Sequence, residues 1–142
     1  MRSGPRREGR ERGAAATEFA LVVVPFLLLV FGSIEFGWAI NKDVLVNNAA
    51  REGAREGSLN PTAADVESVV RSSLSGTAPG DISVSVTCRR PGGAACSSMS
   101  DAESGGAVVV TVDVRHDWVT PFGAVFSSSG ITLSKTTEMR IE

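Results

Sequence analysis

Residues 10–36 read RERGAAATEFALVVVPFLLLVFGSIEF. Arginines give way at Gly13 to an apolar run, and from Phe19 to Ile34 no residue carries a charge. A helix from Ala14 to Ile34 would be about 31 Å long, enough for the ~30 Å hydrocarbon core of a bilayer. A helix in a soluble core shows one apolar stripe, whereas this run is apolar on every side. It predicts a membrane-spanning helix over about residues 14–35. One residue breaks the pattern: Glu18, a carboxylate just inside the apolar edge.

The charges on either side of the run are unequal. Before Ala14 stand Arg2, Arg6, Arg7, Arg10 and Arg12 against Glu8 and Glu11, while acidic side chains outnumber basic ones in the rest of the chain. Basic flanks stay on the cytoplasmic side of a membrane, so the N-terminus is expected in the cytoplasm and the C-terminal body outside it. The net charge is only −2, which argues against a nucleic-acid partner held by phosphate contacts. At 142 residues the chain is long enough for one domain with appendages.

Beyond Glu35 the pattern turns amphipathic. Phe36, Ile40 and Val44 follow a four-residue spacing, so the helix is expected to continue out of the membrane. The tetrapeptide Ala-Arg-Glu-Gly occurs twice in succession, at Ala50–Gly53 and Ala54–Gly57. This sets Ala50, Ala54, Gly53 and Gly57 in a stripe of small residues. Such a stripe is either an exposed helix weakened by glycine or a place where another backbone comes close. Gly57-Ser58 and Asn60-Pro61 signal the helix end, and Thr62 or Asp65 can cap a short second helix with Ala64, Val66, Val69, Val70 and Leu74 on its apolar side.

After Ala78-Pro79-Gly80-Asp81 the period becomes two. Ile82, Val84, Val86 and Cys88 alternate with polar residues, as do Val108, Val110, Val112 and Val114. Ile131, Leu133, Met139 and Ile141 share a third face, interrupted by Lys135 and Thr137. Three half-buried strands predict an antiparallel sheet wetted on one side. The fold class is therefore α+β: one long helix, with or without a short second one, packed on a three-stranded antiparallel sheet. The extramembrane half of the long helix is the expected cover for the apolar sheet face.

Cys88 and Cys96 bracket the turn sequence RRPGGAA. In an exported head this spacing reads as a disulfide closing a short loop; in a cytosolic protein the same pair would be two reduced thiols. Two cysteines and one distant histidine, His116, do not make a four-ligand metal site. The sequence shows no phosphate loop, nucleophile elbow or paired-carboxylate motif, so no catalytic residue, metal or cofactor is expected. The apolar loop Trp118-Val119-Thr120-Pro121-Phe122 with Val125-Phe126 has two readings, closure of the core or an exposed contact for a partner.

The stretch RGAAATEFALVVVPFLLLVFGSIEFGWAINKDVLVNNAAREGAR resembles the N-terminal signature of TadE-like pseudopilins, pilin-like proteins of tight-adherence (type IVc, Flp) pilus systems. The matching features are a basic leader ending in Gly13, then Ala14, Glu18-Phe19 at the fifth and sixth positions after the glycine, and Pro25 within the apolar run. The Glu35-Phe36-Gly37 exit and the run Asn48–Arg55 complete the likeness, which covers about residues 12–57. It implies cleavage between Gly13 and Ala14 by a prepilin peptidase on the cytoplasmic side. It also implies that Glu18 pairs with the freed α-amino group of a neighbouring subunit, with Phe19 and Pro25 serving subunit assembly.

The expected plan is a cleaved cytoplasmic leader at 1–13, a long helix at 14–58 and an extracytoplasmic αβ head at 59–142. The resemblance implies a minor pilin or pseudopilin that assembles, primes or decorates a pilus and is not an enzyme. Its implied partners are the prepilin peptidase, the major pilin, another pseudopilin, the inner-membrane assembly platform and the lipid bilayer. The implied location is the cytoplasmic (inner) membrane and, after assembly, the extracellular pilus. Two rivals lack the pilus. A membrane-anchored extracytoplasmic binding module would keep residues 1–13. A secreted protein would be cut near Gly37-Trp38-Ala39, although its apolar stretch would ordinarily be shorter than this one.

Overall fold

The computed structural model of the chain describes residues 7–77, 81–120 and 130–142. The first element, α1, runs from Arg7 to Leu59, 53 residues and about 80 Å of helix. It begins inside the basic segment rather than at Ala14, because Glu8, Arg10, Glu11 and Arg12 are good helix formers and a single glycine does not stop a helix. It also runs through Pro25, which has no N–H to offer the Leu21 carbonyl one turn earlier. The helix stops where Pro61 disfavours a helical Asn60. There the Asn60 N–H bonds back to the Glu56 carbonyl at 2.8 Å, and the Thr62 N–H bonds to the Asn60 carbonyl at 2.7 Å.

A second helix, α2, spans Ala63–Ser73. Thr62 is its N-cap residue but makes no side-chain cap bond, and the Asp65 carboxylate accepts from the Asn60 side chain instead. Val66 and Val70 are buried, as is Leu74 just beyond the helix, whereas Ala64 faces solvent. The two helices lie antiparallel, with Gly53 against Val70 and Gly57 against Val66.

Three strands follow: β1 Ile82–Arg89, β2 Ala107–His116 and β3 Ile131–Arg140. They pair antiparallel in the order β1-β2-β3, with Cys88 opposite Val108 and Val108 opposite Met139. Because strand side chains alternate, Val108, Val110, Val112 and Val114 all point to one face, where α1 and α2 cover them. The opposite face carries Ser83, Ser85 and Thr87 and a Thr111–Thr136 hydroxyl pair at 2.9 Å. The observed architecture is the expected α+β one, with the second helix present.

The core joins these four valines to Val46, Ala49, Ala50 and Ala54 of α1 and to Val66, Val70, Leu74, Ile82 and Ile141. Each fully buried valine contributes about 1.5–3 kcal/mol relative to exposure, so the sheet face is the main source of head stability. Two details differ from the sequence pattern. The helix face turned to the sheet is built of small residues, while Phe36, Ile40 and Val44 are exposed. Lys135, which interrupts the apolar spacing of β3, extends to Asp43 on α1, with Nζ 3.0 Å from Oδ1. A half-buried strand position opposite a helix carboxylate accepts a lysine because its charge is paired there.

The topology sets two poles. β2 ends at His116 beside Glu35 of α1, which makes this the pole nearest the apolar half of the helix. At the other pole the Glu142 N–H bonds to the Ser58 carbonyl at 3.2 Å, and the disulfide loop after β1 lies nearby.

Candidate functional site

The apolar half of α1 carries the first group of residues. From Gly13 to Ala20 every side chain is exposed, Glu18 and Phe19 included. Gly13 and Ala14 lie within continuous helix, and the Thr17 hydroxyl bonds back to both carbonyls, at 3.2 Å to Gly13 and 2.7 Å to Ala14. Among the described residues the Glu18 carboxylate has no hydrogen-bond donor or cation. Pro25 lies within the same half.

Glu35, one position past the uncharged run, is in a different situation. It is only 7% exposed. Its Oε1 accepts the Val119 N–H at 2.8 Å and its Oε2 accepts the Thr120 N–H at 3.0 Å. Two successive backbone N–H groups aimed at one carboxylate form a small anion-binding concavity, filled here by a side chain from another element. His116, 1% exposed, closes the arrangement with Nε2 3.6 Å from Glu35 Oε1, and its ring lies edge-on to Trp118 at 6.2 Å between centroids. The site joins residues 84 and 85 positions apart. It fixes the segment leaving β2 against the helix at the apolar boundary.

The glycine stripe is an internal packing surface. A Cβ on Gly53 would collide with Val70 Cγ2, and one on Gly57 would lie 2.9 Å from Val108 Cγ2. Ala50 and Ala54 are fully buried beside them. Small residues here let α2 and β2 approach the α1 backbone.

Cys88 and Cys96 form a disulfide with a Cα–Cα distance of 5.3 Å. The loop between them is stitched by Arg90 N–H to the Ala94 carbonyl at 2.7 Å and Cys96 N–H to the Cys88 carbonyl at 2.8 Å. Gly92 and Gly93 adopt φ of 102° and 92° in the turn, which L side chains rarely do. Around this pole Arg89, Arg90 and Arg140 line an open cleft of about 370 Å³ with Glu138. Arg90 reaches Asp101 at 3.5 Å and Arg89 reaches Glu138 at 4.0 Å. These are exposed pairs that contribute little to stability.

Of the loop singled out in the sequence, Trp118, Val119 and Thr120 are described; Pro121, Phe122, Val125 and Phe126 lie outside the described residues. Arg2 and Arg6 of the basic segment lie outside them as well. In the sequence Glu35 reads as a helix-exit residue and His116 as a lone histidine distant from the cysteines, and no local pattern connects the two. The available signal was His116 continuing the buried valine face of β2, a position where a polar ring needs a polar neighbour.

Residues 13–55 match the model of the TadE-like protein family. The match covers α1 from Gly13 to Arg55 and stops before α2 and the sheet. No curated protein and no solved structure matches the chain. The matched helix is also long and apolar enough to cross a membrane.

Proposed function

We propose that the chain is a minor pilin or pseudopilin of a tight-adherence pilus, processed between Gly13 and Ala14 and serving assembly, priming or decoration of the filament. The TadE-like match over α1 supports a pilus-associated structural role. The observation that carries the finer reading is Glu18, a carboxylate at the edge of an apolar helix with no cation or donor among the described residues. When apolar helices pack side by side, a carboxylate between them needs an opposite charge. A neighbour's α-amino group, freed by cleavage before Ala14, supplies that charge at the right end of the helix.

Cleavage has a structural requirement. A peptidase binds its substrate extended, whereas Gly13 and Ala14 are helical here. Gly13 makes local unwinding cheaper by about 1 kcal/mol relative to alanine. Removing residues 1–13 also removes the five arginines that hold the N-terminus on the cytoplasmic side. Pro25 adds a point of flexion where neighbouring helices nest. In this role the chain performs no chemistry; the processing peptidase, the major pilin, a second pseudopilin and the membrane platform are its partners.

The test is the intact mass of membrane-extracted protein with and without a co-expressed prepilin peptidase. A product beginning at Ala14, lost on Gly13→Val substitution, is expected. Full-length chain in the presence of a peptidase that processes a control pilin would instead indicate an anchored binding module that does not assemble. A product beginning near Ile40 would indicate signal-peptide secretion.

A further inference from the structure

The Glu35 site has a consequence for where the head sits. On α1 the change from apolar to polar falls between Ile34 and Glu35. A span of about 31 Å from Ala14 to Ile34 matches the ~30 Å hydrocarbon core, so Glu35 to Trp38 lie at the headgroup level. The Trp118–Thr120 segment is tied to that same level by the hydrogen bonds of Val119 and Thr120 to the Glu35 carboxylate. Val119 is 55% exposed there, next to a helix boundary where Phe36 and Trp38 are 68% and 54% exposed.

We propose that this pole of the head is a lipid-contact surface: Phe36 and Trp38 of α1, with Trp118 and Val119 of the head, lie at the headgroup–acyl boundary, and Glu35 holds the head down on the bilayer. The proposal rests on the reading of α1 as a membrane span. Three observations favour lipid as the occupant. Exposed Ile34 lies one helical turn below Trp38 on the same side of α1 and leads from it into the apolar run. Both tryptophans of the chain are at this level, and tryptophan prefers the membrane interface, where its ring is half buried and its N–H is wet.

The third is the chemistry of the clamp itself. A loop touching lipid cannot leave backbone N–H groups without acceptors, and the carboxylate takes up two of them. That carboxylate is shielded by the loop it binds, so no bare charge faces the acyl chains. Charges on the same pole are paired at the surface, Arg115 Nε with Asp117 Oδ1 at 3.0 Å, where headgroups and water can solvate them.

The chain has two tryptophans and no tyrosine, so single-tryptophan variants report each position separately. The full chain is reconstituted into nanodiscs of phosphatidylethanolamine and phosphatidylglycerol, with lipids brominated either near the ester end or near the chain terminus. In W38F the remaining Trp118 should lose a fraction of its emission to shallow bromines similar to that lost by Trp38 in W118F, and deep bromines should quench both less. Quenching of Trp38 without Trp118 would overturn the proposal while leaving the span intact. Absence of quenching at both positions would overturn the span and the proposal together. In W38F/E35Q, Trp118 quenching should fall, while Trp38 in W118F/E35Q keeps its own. Unchanged Trp118 quenching in E35Q would remove the clamp from the account of how the head is held.

Discussion

Glu18 and Glu35 are carboxylates on one continuous helix, at opposite ends of the same apolar run, and the protein treats them in opposite ways. Glu35 is buried by the head, accepts two backbone N–H groups and lies beside His116. Glu18 is exposed, and among the described residues its carboxylate has no hydrogen-bond donor or cation. The half of α1 from Glu35 onward is folded against its own chain: its small residues fit α2 and β2, and its charges find partners such as Lys135 for Asp43. The run from Ala14 to Ile34 presents large apolar side chains outward, and its one carboxylate is unmatched among the described residues. The satisfied carboxylate marks an intramolecular joint; under the proposed function, the unsatisfied one is where a neighbouring subunit would complete the surface.

The contrast can be tested in order of expected effect. Gly53→Leu would force a side chain into Val70, and overpacking of this kind costs about 3 kcal/mol. A large fall in the unfolding temperature of the detergent-solubilised chain, with membrane insertion unchanged, is expected. Equal stability would mean that the stripe is not a packing surface within the head.

Removal of the disulfide by Cys88→Ser with Cys96→Ser should cost about 2–3 kcal/mol, because the open chain regains loop entropy. The same loss should be obtained by reducing the unaltered protein, and the two together should not add. Glu35→Gln should cost about 1–3 kcal/mol, since one of the two N–H groups then faces an amide N–H₂ instead of an oxygen. Denaturant unfolding followed by Trp118 emission in the W38F background reads this loss at the joint itself. The smallest effect on folding belongs to Glu18→Gln: the head should unfold at the same temperature as the unaltered chain, while incorporation into filaments is lost. A destabilised head in Glu18→Gln would contradict the division of α1 into a folded and an unmatched half.

The sequence made the membrane-length run and the three alternating strands legible, because each is a local pattern of side chains, and it narrowed the bracketed cysteines to a disulfide or two thiols according to the compartment. Two parts were less legible for physical reasons. The core face of α1 is lined by Val46, Ala49, Ala50, Gly53, Ala54 and Gly57; its stripe of small residues stood out but had two readings, because small side chains carry little hydrophobic signal, while the larger Phe36, Ile40 and Val44 are exposed. Closeness of approach, rather than side-chain size, selects that face. The Glu35 joint was hidden because its donors are backbone N–H groups, which every non-proline residue has, and because they come from the far end of the chain. Lys135 reads as a flaw in β3 until Asp43 on the facing helix is known.

The most direct measurement is zero-length carbodiimide coupling in intact membranes that contain the prepilin peptidase and the other pilus subunits, followed by peptide mass spectrometry. An amide between the Glu18 carboxylate and the α-amino group of a neighbouring processed subunit is expected, with Glu35 uncoupled. Coupling at Glu35 with Glu18 unreacted would contradict the assignment of one carboxylate to the protomer and the other to the assembly.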